Sequence, residues 1–375
     1  MKKILIFYGS YGGGHLSAAK SIKECIEANY NDIEVKMVDC IEYINKYVNK
    51  ISTLAYAEMA KNVPWAWKRV YSDSQKGPLA TISTTSNKIM SHRLNHLIQD
   101  FQPDLIISTH PFSSQMCAIL KKRGHITSKL ATIMTDYVPH NQWVVGSEYT
   151  DYFFVAHEGM KNELITLGVD ENKIFATGIP LSSRFLQSYD RDTVFKSLNL
   201  FPDKKTILFF AGGEFGLGRN TTYMVLKAII RLFKDFQVIA IAGRNKKMQD
   251  KFDELVSLTN SKDRIKVLSY TNQVPEFMSI SDMVITKPGG LTITESLSAS
   301  LPIIIINPIP GQEEENAQFL VDNNVAIWIK KGDNIARSLK NLFRNPDKIE
   351  NMRLNSGNLS KKNSTSDICK IILQN

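Results

Sequence analysis

Near the start of the chain, "YGSYGGGHLSAA" sets Gly12, Gly13 and Gly14 directly before His15, between an apolar run and a helical pattern. A glycine-rich turn lets a ligand come close to the backbone, and the N–H groups of the helix start then face it. A neutral imidazole at that place suits a hydroxyl that must lose a proton, so His15 is a candidate general base. Capping the loop or orienting a partner is the alternative. The P-loop pattern fails, because His15 and Leu16 stand where Lys and Ser/Thr are required. The dinucleotide pattern fails at Ser17, which takes the place of the third glycine. Asp136 ends the run "LATIMTD" and is the second candidate: base, orienting partner of His15, or helix N-cap. His110 ends "DLIISTH" before Pro111, and lines a ligand cleft or packs a loop.

A second constellation lies far along the chain, in "DMVITKPGGLTITESLSASLPIIIINPIPGQEEENAQFL". Gly289 and Gly290 end a strand and open a helix, with Thr292 in its first turn. Backbone amides, a hydroxyl and the helix dipole together favour a diphosphate. Glu295 follows one turn later on the same face, where a carboxylate can accept two ribose hydroxyls. Gln312 and Asn316 are four apart and share a face if helical; amides that donate and accept suit sugar hydroxyls. The run Glu313, Glu314, Glu315 is solvated charge, or one of the three reaches the sugar.

The surrounding elements repeat in two series. "ILIFYG", "VKMVD", "DLIISTH", "LATIMTD", "YFFVAH" and "KIFATG" alternate with helical patterns near 15–29, 86–101, 112–123 and 158–167. "TILFFAGG", "FQVIAIAG", "IKVLSY", "MVITKPGG", "PIIIINP" and "VAIWIK" form the second series. Continuous β-branched runs of this kind predict parallel strands covered on both faces. The fold class is therefore α/β, with two doubly wound domains at 1–185 and 200–355. The final helix, within 356–375, packs back on the first domain. Facing domains of this kind would enclose a cleft.

The 375 residues carry 43% hydrophobic and 22% charged side chains, the balance of a globular protein. A formal charge of +9 favours an anionic partner. No zinc finger or RNA-binding signature points to nucleic acid. The four cysteines form no C-x-x-C pair, which argues for a reducing compartment. The opening apolar run is too short for a signal peptide and reads as a strand. No run approaches a membrane span, so membrane contact would be peripheral. "KNVPWAWKRVY" interleaves Lys61, Lys68 and Arg69 with Trp65, Trp67 and Tyr71, a composition that suits a lipid interface or, equally, ordinary packing.

"TKPGGLTITESLSASLPIIIINPIPGQEEENA" resembles the nucleotide-sugar region of inverting GT-B glycosyltransferases. With "GSYGGGHLSAA", "ISTHPF", "TDYVPHNQW", "ATGIPLSSRF" and "AGGEFGLG" in order, the chain is similar to the monogalactosyl- and processive glucosyl-diacylglycerol synthase family. The resemblance implies a UDP-hexose donor, glucose or galactose, and a diacylglycerol acceptor. It implies Gly212, Gly213, Gly289, Gly290 and Thr292 at the diphosphate, Arg244 near a phosphate, and Tyr270 or Thr271 near uracil. Glu295 would bind ribose, and Gln312 with Glu313 and Asn316 the sugar. Gly13, Gly14, His110, Pro111 and His140 would lie on the acceptor side with His15 and Asp136. It implies no metal or other cofactor, and a cytoplasmic enzyme on the inner face of the cell membrane. The alternatives are an N-acetylglucosaminyltransferase acting on a lipid-linked peptidoglycan precursor, and a non-catalytic membrane-bound UDP-sugar sensor.

Overall fold

The computed structural model describes residues 1–10, 13–44, 93–212 and 219–374. Gly213 and the membrane candidates Trp65, Trp67, Lys68 and Arg69 lie outside the described residues. The contacts divide the chain into two units: 1–183 with 310–312 and 361–375, and 184–309 with 313–360. Residues 186–199, which the sequence reading leaves between the domains, group with the second unit and contain the helix Arg191–Ser197.

The first unit is built on six parallel strands: β1 (Lys2–Tyr8), β2 (Ile33–Asp39), β3 (Leu105–Ser108), β4 (Lys129–Ile133), β5 (Tyr152–Phe154) and β6 (Ile174–Phe175). Their order is β2-β1-β3-β4-β5-β6. In β1, Ile4, Leu5, Ile6 and Phe7 are all fully buried, because helices cover both faces. Leu5 and Phe7 join the side covered by the helix Pro111–Lys122. Ile4 and Ile6 pack with Ile22 and Ile26 of the helix Gly14–Asn29 and with Ile368 and Ile372 of the final helix, Ser364–Gln374. The strand's two-residue period thus sends neighbouring side chains to opposite cores.

The chain returns to the first unit through a tight seam. Leu181 N–H donates to Thr365 Oγ1 at 2.8 Å, and that hydroxyl donates to Leu181 O at 2.7 Å. Gly178 has φ +95°, and a Cβ there would lie 2.5 Å from Lys361 Cβ. Only glycine fits both the backbone and the space.

The second unit holds β7 (Lys205–Phe210), β8 (Phe236–Ile241), β9 (Ile265–Leu268), β10 (Met283–Thr286), β11 (Ile303–Ile306) and β12 (Ala326–Ile329), all parallel. The order is β12-β11-β10-β7-β8-β9. In each sheet the winding direction reverses beside the first strand: between β1 and β3, and between β7 and β10. Open α/β sheets bind ligands at the carboxyl ends of the strands flanking such a reversal.

Candidate active site

In the first unit the reversal brings two histidines together. His15 is the second residue of the helix after β1, and His110 follows β3. Their rings meet edge to face, with centroids 4.6 Å apart. His15 Nδ1 lies 2.6 Å from Thr109 O and 3.1 Å from Thr135 Oγ1. A carbonyl only accepts, so Nδ1 carries the proton and Nε2 keeps the lone pair. Thr109 is itself held, its hydroxyl donating to His15 O at 2.9 Å. Burial pushes the His15 imidazole down to about 4, the Thr109 carbonyl partly opposing it. Burial holds His110 well below the ordinary histidine range, with His15 and His140 adding to it, and takes His140 down to about 4. The three rings are therefore neutral at pH 7.

The remaining first-unit candidates fall beside this pair. Asp136 is 7% exposed, three residues beyond β4 and next to the Thr135 that touches His15. His110 Nδ1 accepts from Phe112 N–H at 3.2 Å, so His110 caps the helix that Pro111 opens. The His140 ring lies 5.7 Å from that of Trp143. Gly14 begins the first helix and Gly13 precedes it with φ −81°. A Cβ at Gly13 would meet no described atom within 4 Å, so neither backbone nor crowding among the described residues requires glycine there. Gly9 is different: a Cβ would stand 3.0 Å from His110 Cδ2. Sequence reasoning missed Thr109 and Thr135, and also Asp39. That carboxyl, raised by burial, ends β2 and accepts from Ser10 Oγ and from Ile41 N–H at 3.0 Å.

In the second unit the predicted donor residues gather at the carboxyl ends of the strands. Gly212 follows β7 with φ +92°. Arg244 follows β8 and Tyr270 follows β9; the guanidinium lies 4.9 Å from the ring centroid, and Tyr270 is 58% exposed. Thr271 Oγ1 accepts from Gln273 N–H at 3.0 Å, so its hydroxyl shapes the turn into the helix Val274–Ile280. Gly289 is the N-cap of the helix Gly290–Ser298 and offers no side chain to its orphan N–H groups. Thr292 and Glu295 are half-buried on that helix. Burial raises the Glu295 carboxyl to about 8.

The helix Gln312–Asp322 carries three of the candidates at different exposures. Gln312 opens it and is half-buried. Asn316 is fully buried, and its amide donates to Pro288 O at 3.2 Å. Glu313 is 8% exposed: Oε1 meets Lys287 Nζ at 2.6 Å and Oε2 accepts from Ile309 N–H at 2.8 Å. Both oxygens are engaged within the protein. Lys287 was missed as a functional side chain, although its ion pair ties the two motifs together. Asp190 and Asp192 stand at the start of the helix Arg191–Ser197, where Asp190 accepts from Thr193 Oγ1. Among the described residues no group of three or more His, Cys, Asp or Glu is arranged to hold a metal ion.

Comparison with known proteins finds two family matches along the chain. Residues 15–181 match the monogalactosyldiacylglycerol (MGDG) synthase family, and residues 207–370 match the glycosyltransferase family 28 C-terminal domain. The chain is 30% identical over 378 residues to the processive diacylglycerol β-glucosyltransferase of Bacillus subtilis, covering 100% of this chain and 95% of that one. It is 31% identical over 373 residues to the protein of the same name from Staphylococcus epidermidis, covering 99% and 92%. The crystal structure of Acinetobacter baumannii MurG shares the fold over the whole of both chains, with a TM-score of 0.65 at 13% identity. The Staphylococcus aureus MnaA–UDP co-structure does so with a TM-score of 0.68 at 16% identity, over 99% of this chain and 96% of that one. The two sheets are the Rossmann-like domains of a GT-B glycosyltransferase. With its full length matched and a histidine base candidate and a glycine-opened helix at the strand ends where that fold works, the chain belongs to the processive diacylglycerol β-glucosyltransferase family.

Proposed function

We propose that the protein transfers glucose from UDP-glucose to the free hydroxyl of diacylglycerol, giving a β-glucosyl-diacylglycerol. The observation that carries the chemistry is the His15 imidazole, neutral and pinned through Nδ1 to Thr109 O at 2.6 Å. Its Nε2 is left to take a proton. The acceptor oxygen forms its bond to the anomeric carbon as the bond from that carbon to the diphosphate oxygen breaks. The acceptor's proton passes to the base, His15 or Asp136, and UDP departs. One in-line displacement converts the α-linked donor into a β-linked product.

The departing diphosphate is stabilised by the N–H groups of the helix that Gly290 opens, the Thr292 hydroxyl and the helix dipole, whereas the Gly289 N–H donates to Lys287 O at 3.0 Å. Glu295 accepts from the ribose. The exposed Arg244–Tyr270 pair borders the nucleotide, and Gln312 reads the sugar. These groups make a resident metal or other cofactor unnecessary to the core chemistry. Galactose differs from glucose at one hydroxyl. The choice of glucose rests on the names of the full-length relatives. A panel of radiolabelled UDP-sugars with diacylglycerol liposomes, read by thin-layer chromatography, tests the assignment. Label should enter a glycolipid from UDP-glucose. Transfer only to a lipid-linked peptidoglycan precursor, or UDP binding with no transfer at all, overturns it.

Among the described residues no helix is long and apolar enough to cross a membrane. Collecting an insoluble acceptor then calls for docking on a bilayer, at the inner face of the cell membrane. "KNVPWAWKRVY" is the proposed dock, and rests on sequence. Each cation near an anionic surface is worth about 1 kcal/mol. Lys68→Glu with Arg69→Glu should therefore reduce sedimentation with anionic liposomes and lower activity on them. Activity on detergent-dispersed acceptor should hold. Unchanged sedimentation would move the membrane contact elsewhere.

A further inference from the structure

We propose that Asp39 is a positioning residue for the acceptor half of the reaction, holding the loop that leads from β1 to His15. The inference rests on the function proposed above and adds a member to its first-unit site. Of the six residues from Gly9 to Gly14, four are glycine. Glycine brings no side chain to hold a loop and leaves its backbone free to wander, so this connection has to be fixed from outside.

The strands on either side of β1 supply the grip. Asp39 is in register with Tyr8 across β2 and β1, and Ser108 with Phe7 across β3 and β1. On the β3 side, a Cβ on Gly9 would stand 3.0 Å from His110 Cδ2, so that ring lies against the first residue of the loop. On the β2 side, Ser10 Oγ donates to Asp39 Oδ2. The other carboxylate oxygen, Oδ1, accepts from Ile41 N–H at 3.0 Å and from Glu42 N–H at 3.1 Å, and so caps the short helix Cys40–Ile44. Capping occupies one oxygen, and serine would serve it about as well. The second oxygen is the one that crosses to the loop after β1. Asp39 is 7% exposed, whereas Ser10 is exposed. A carboxylate that burial disfavours is thus kept where donors from two connections converge on it. The loop it holds ends at His15, whose Nδ1 is held from the β3 side by Thr109 O at 2.6 Å. His15 is placed by β3 through its ring and by β2 through its loop.

Kinetics on detergent-dispersed diacylglycerol, calorimetry with UDP and deuterium exchange together separate this role from helix capping. Asp39→Ser keeps a capping hydroxyl but is too short to reach Ser10. Ser10→Ala removes the same bond from the other end and leaves the cap alone. Each should lower kcat/KM for diacylglycerol by about tenfold, with UDP affinity unchanged within about twofold. The double variant should be no worse than the worse single one, as expected of partners in one contact. Asp39→Asn, which can cap through its oxygen and donate to Ser10 Oγ through its amide, should recover most of the loss. The peptide that spans the loop should take up deuterium about tenfold faster in Ser10→Ala and Asp39→Ser. Thermal melts identify an Asp39 variant that fails to fold, and Ser10→Ala, at an exposed position, then decides. Acceptor kcat/KM within about twofold of wild type in Ser10→Ala overturns the proposal. So does additivity in the double variant, or an equal loss of UDP affinity. Wild-type protein that transfers no hexose to diacylglycerol would overturn the proposed function instead. The exchange measurement, which needs no substrate, then decides the role of Asp39, and unchanged uptake in both variants overturns it.

Discussion

His15→Ala should lower turnover about a hundredfold, roughly 2.7 kcal/mol, with UDP affinity unchanged. The expectation follows from the imidazole's place in the first unit, with Nδ1 bonded to Thr109 O and Thr135 Oγ1. The pH profile adds a second readout. An ordinary histidine, at 6.5, would lose half its free base as pH falls to that value. His15, pushed down to about 4, stays neutral through that range, so its limb of the turnover profile should remain flat between about pH 5 and 7. The same shift couples to stability. Between 6.5 and 4 the unfolded chain takes up a proton on His15 that the folded chain refuses, so this contribution is present above 6.5 and fades as pH falls towards 4. The acid limb of a melting-temperature profile should therefore flatten in His15→Ala. Turnover within threefold of wild type would remove His15 as the base and leave Asp136 as the leading residue.

Glu295→Ala should weaken UDP binding about ten- to a hundredfold, the worth of a charge-assisted hydrogen bond at roughly 1.5–3 kcal/mol. The carboxyl is raised to about 8 by burial, so at pH 7 most of it is protonated before ligand arrives. Accepting from two ribose hydroxyls favours the ionised form. Binding should then release a proton below pH 8, and affinity should rise with pH, by up to about tenfold per unit, before levelling above 8. Glu295→Gln removes that slope. Its effect on stability has the opposite sign. Between 4.5 and 8 the folded chain keeps a proton that the unfolded chain gives up, so wild-type stability falls as pH rises through that window. Glutamine does not titrate, and Glu295→Gln should melt above wild type at pH 8 while binding UDP less well. A group that costs stability yet holds ligand is the usual trade at a binding site. Calorimetry in buffers of different ionisation enthalpy checks the proton release. An affinity that does not change between pH 6 and 8 would take Glu295 out of the ribose contact.

The strands and their helices were legible in the sequence because their signal is local. A parallel strand buried on both faces reads as a continuous apolar run, and "ILIFYG" and "PIIIINP" became β1 and β11 as expected. The helix starts at Gly14 and Gly290 were legible for the same reason, since a glycine-rich turn and the periodic pattern after it lie within a few residues. His15 and Glu295 could be singled out from such turns, and the order of six motifs carried the resemblance to the family.

Other features needed the folded chain. Thr109 and Thr135 stand 94 and 120 residues from His15 and reach its Nδ1 only because the sheet order sets β1, β3 and β4 side by side. Nothing in the local pattern of "STH" or "MTD" names that partner. The run "QEEENAQ" predicted a helix, and a helix formed, yet spacing alone left open which face would be covered. Packing against the loop after β10 buried Glu313 and Asn316 and left Gln312 half-buried. By itself the sequence determined the elements, the turns that open at their carboxyl ends and the family. The tertiary structure alone decided which polar side chains are buried and which partners they meet. Periodicity is written within one or two turns of chain, whereas a hydrogen-bond partner is chosen by whichever strand or helix the fold brings alongside.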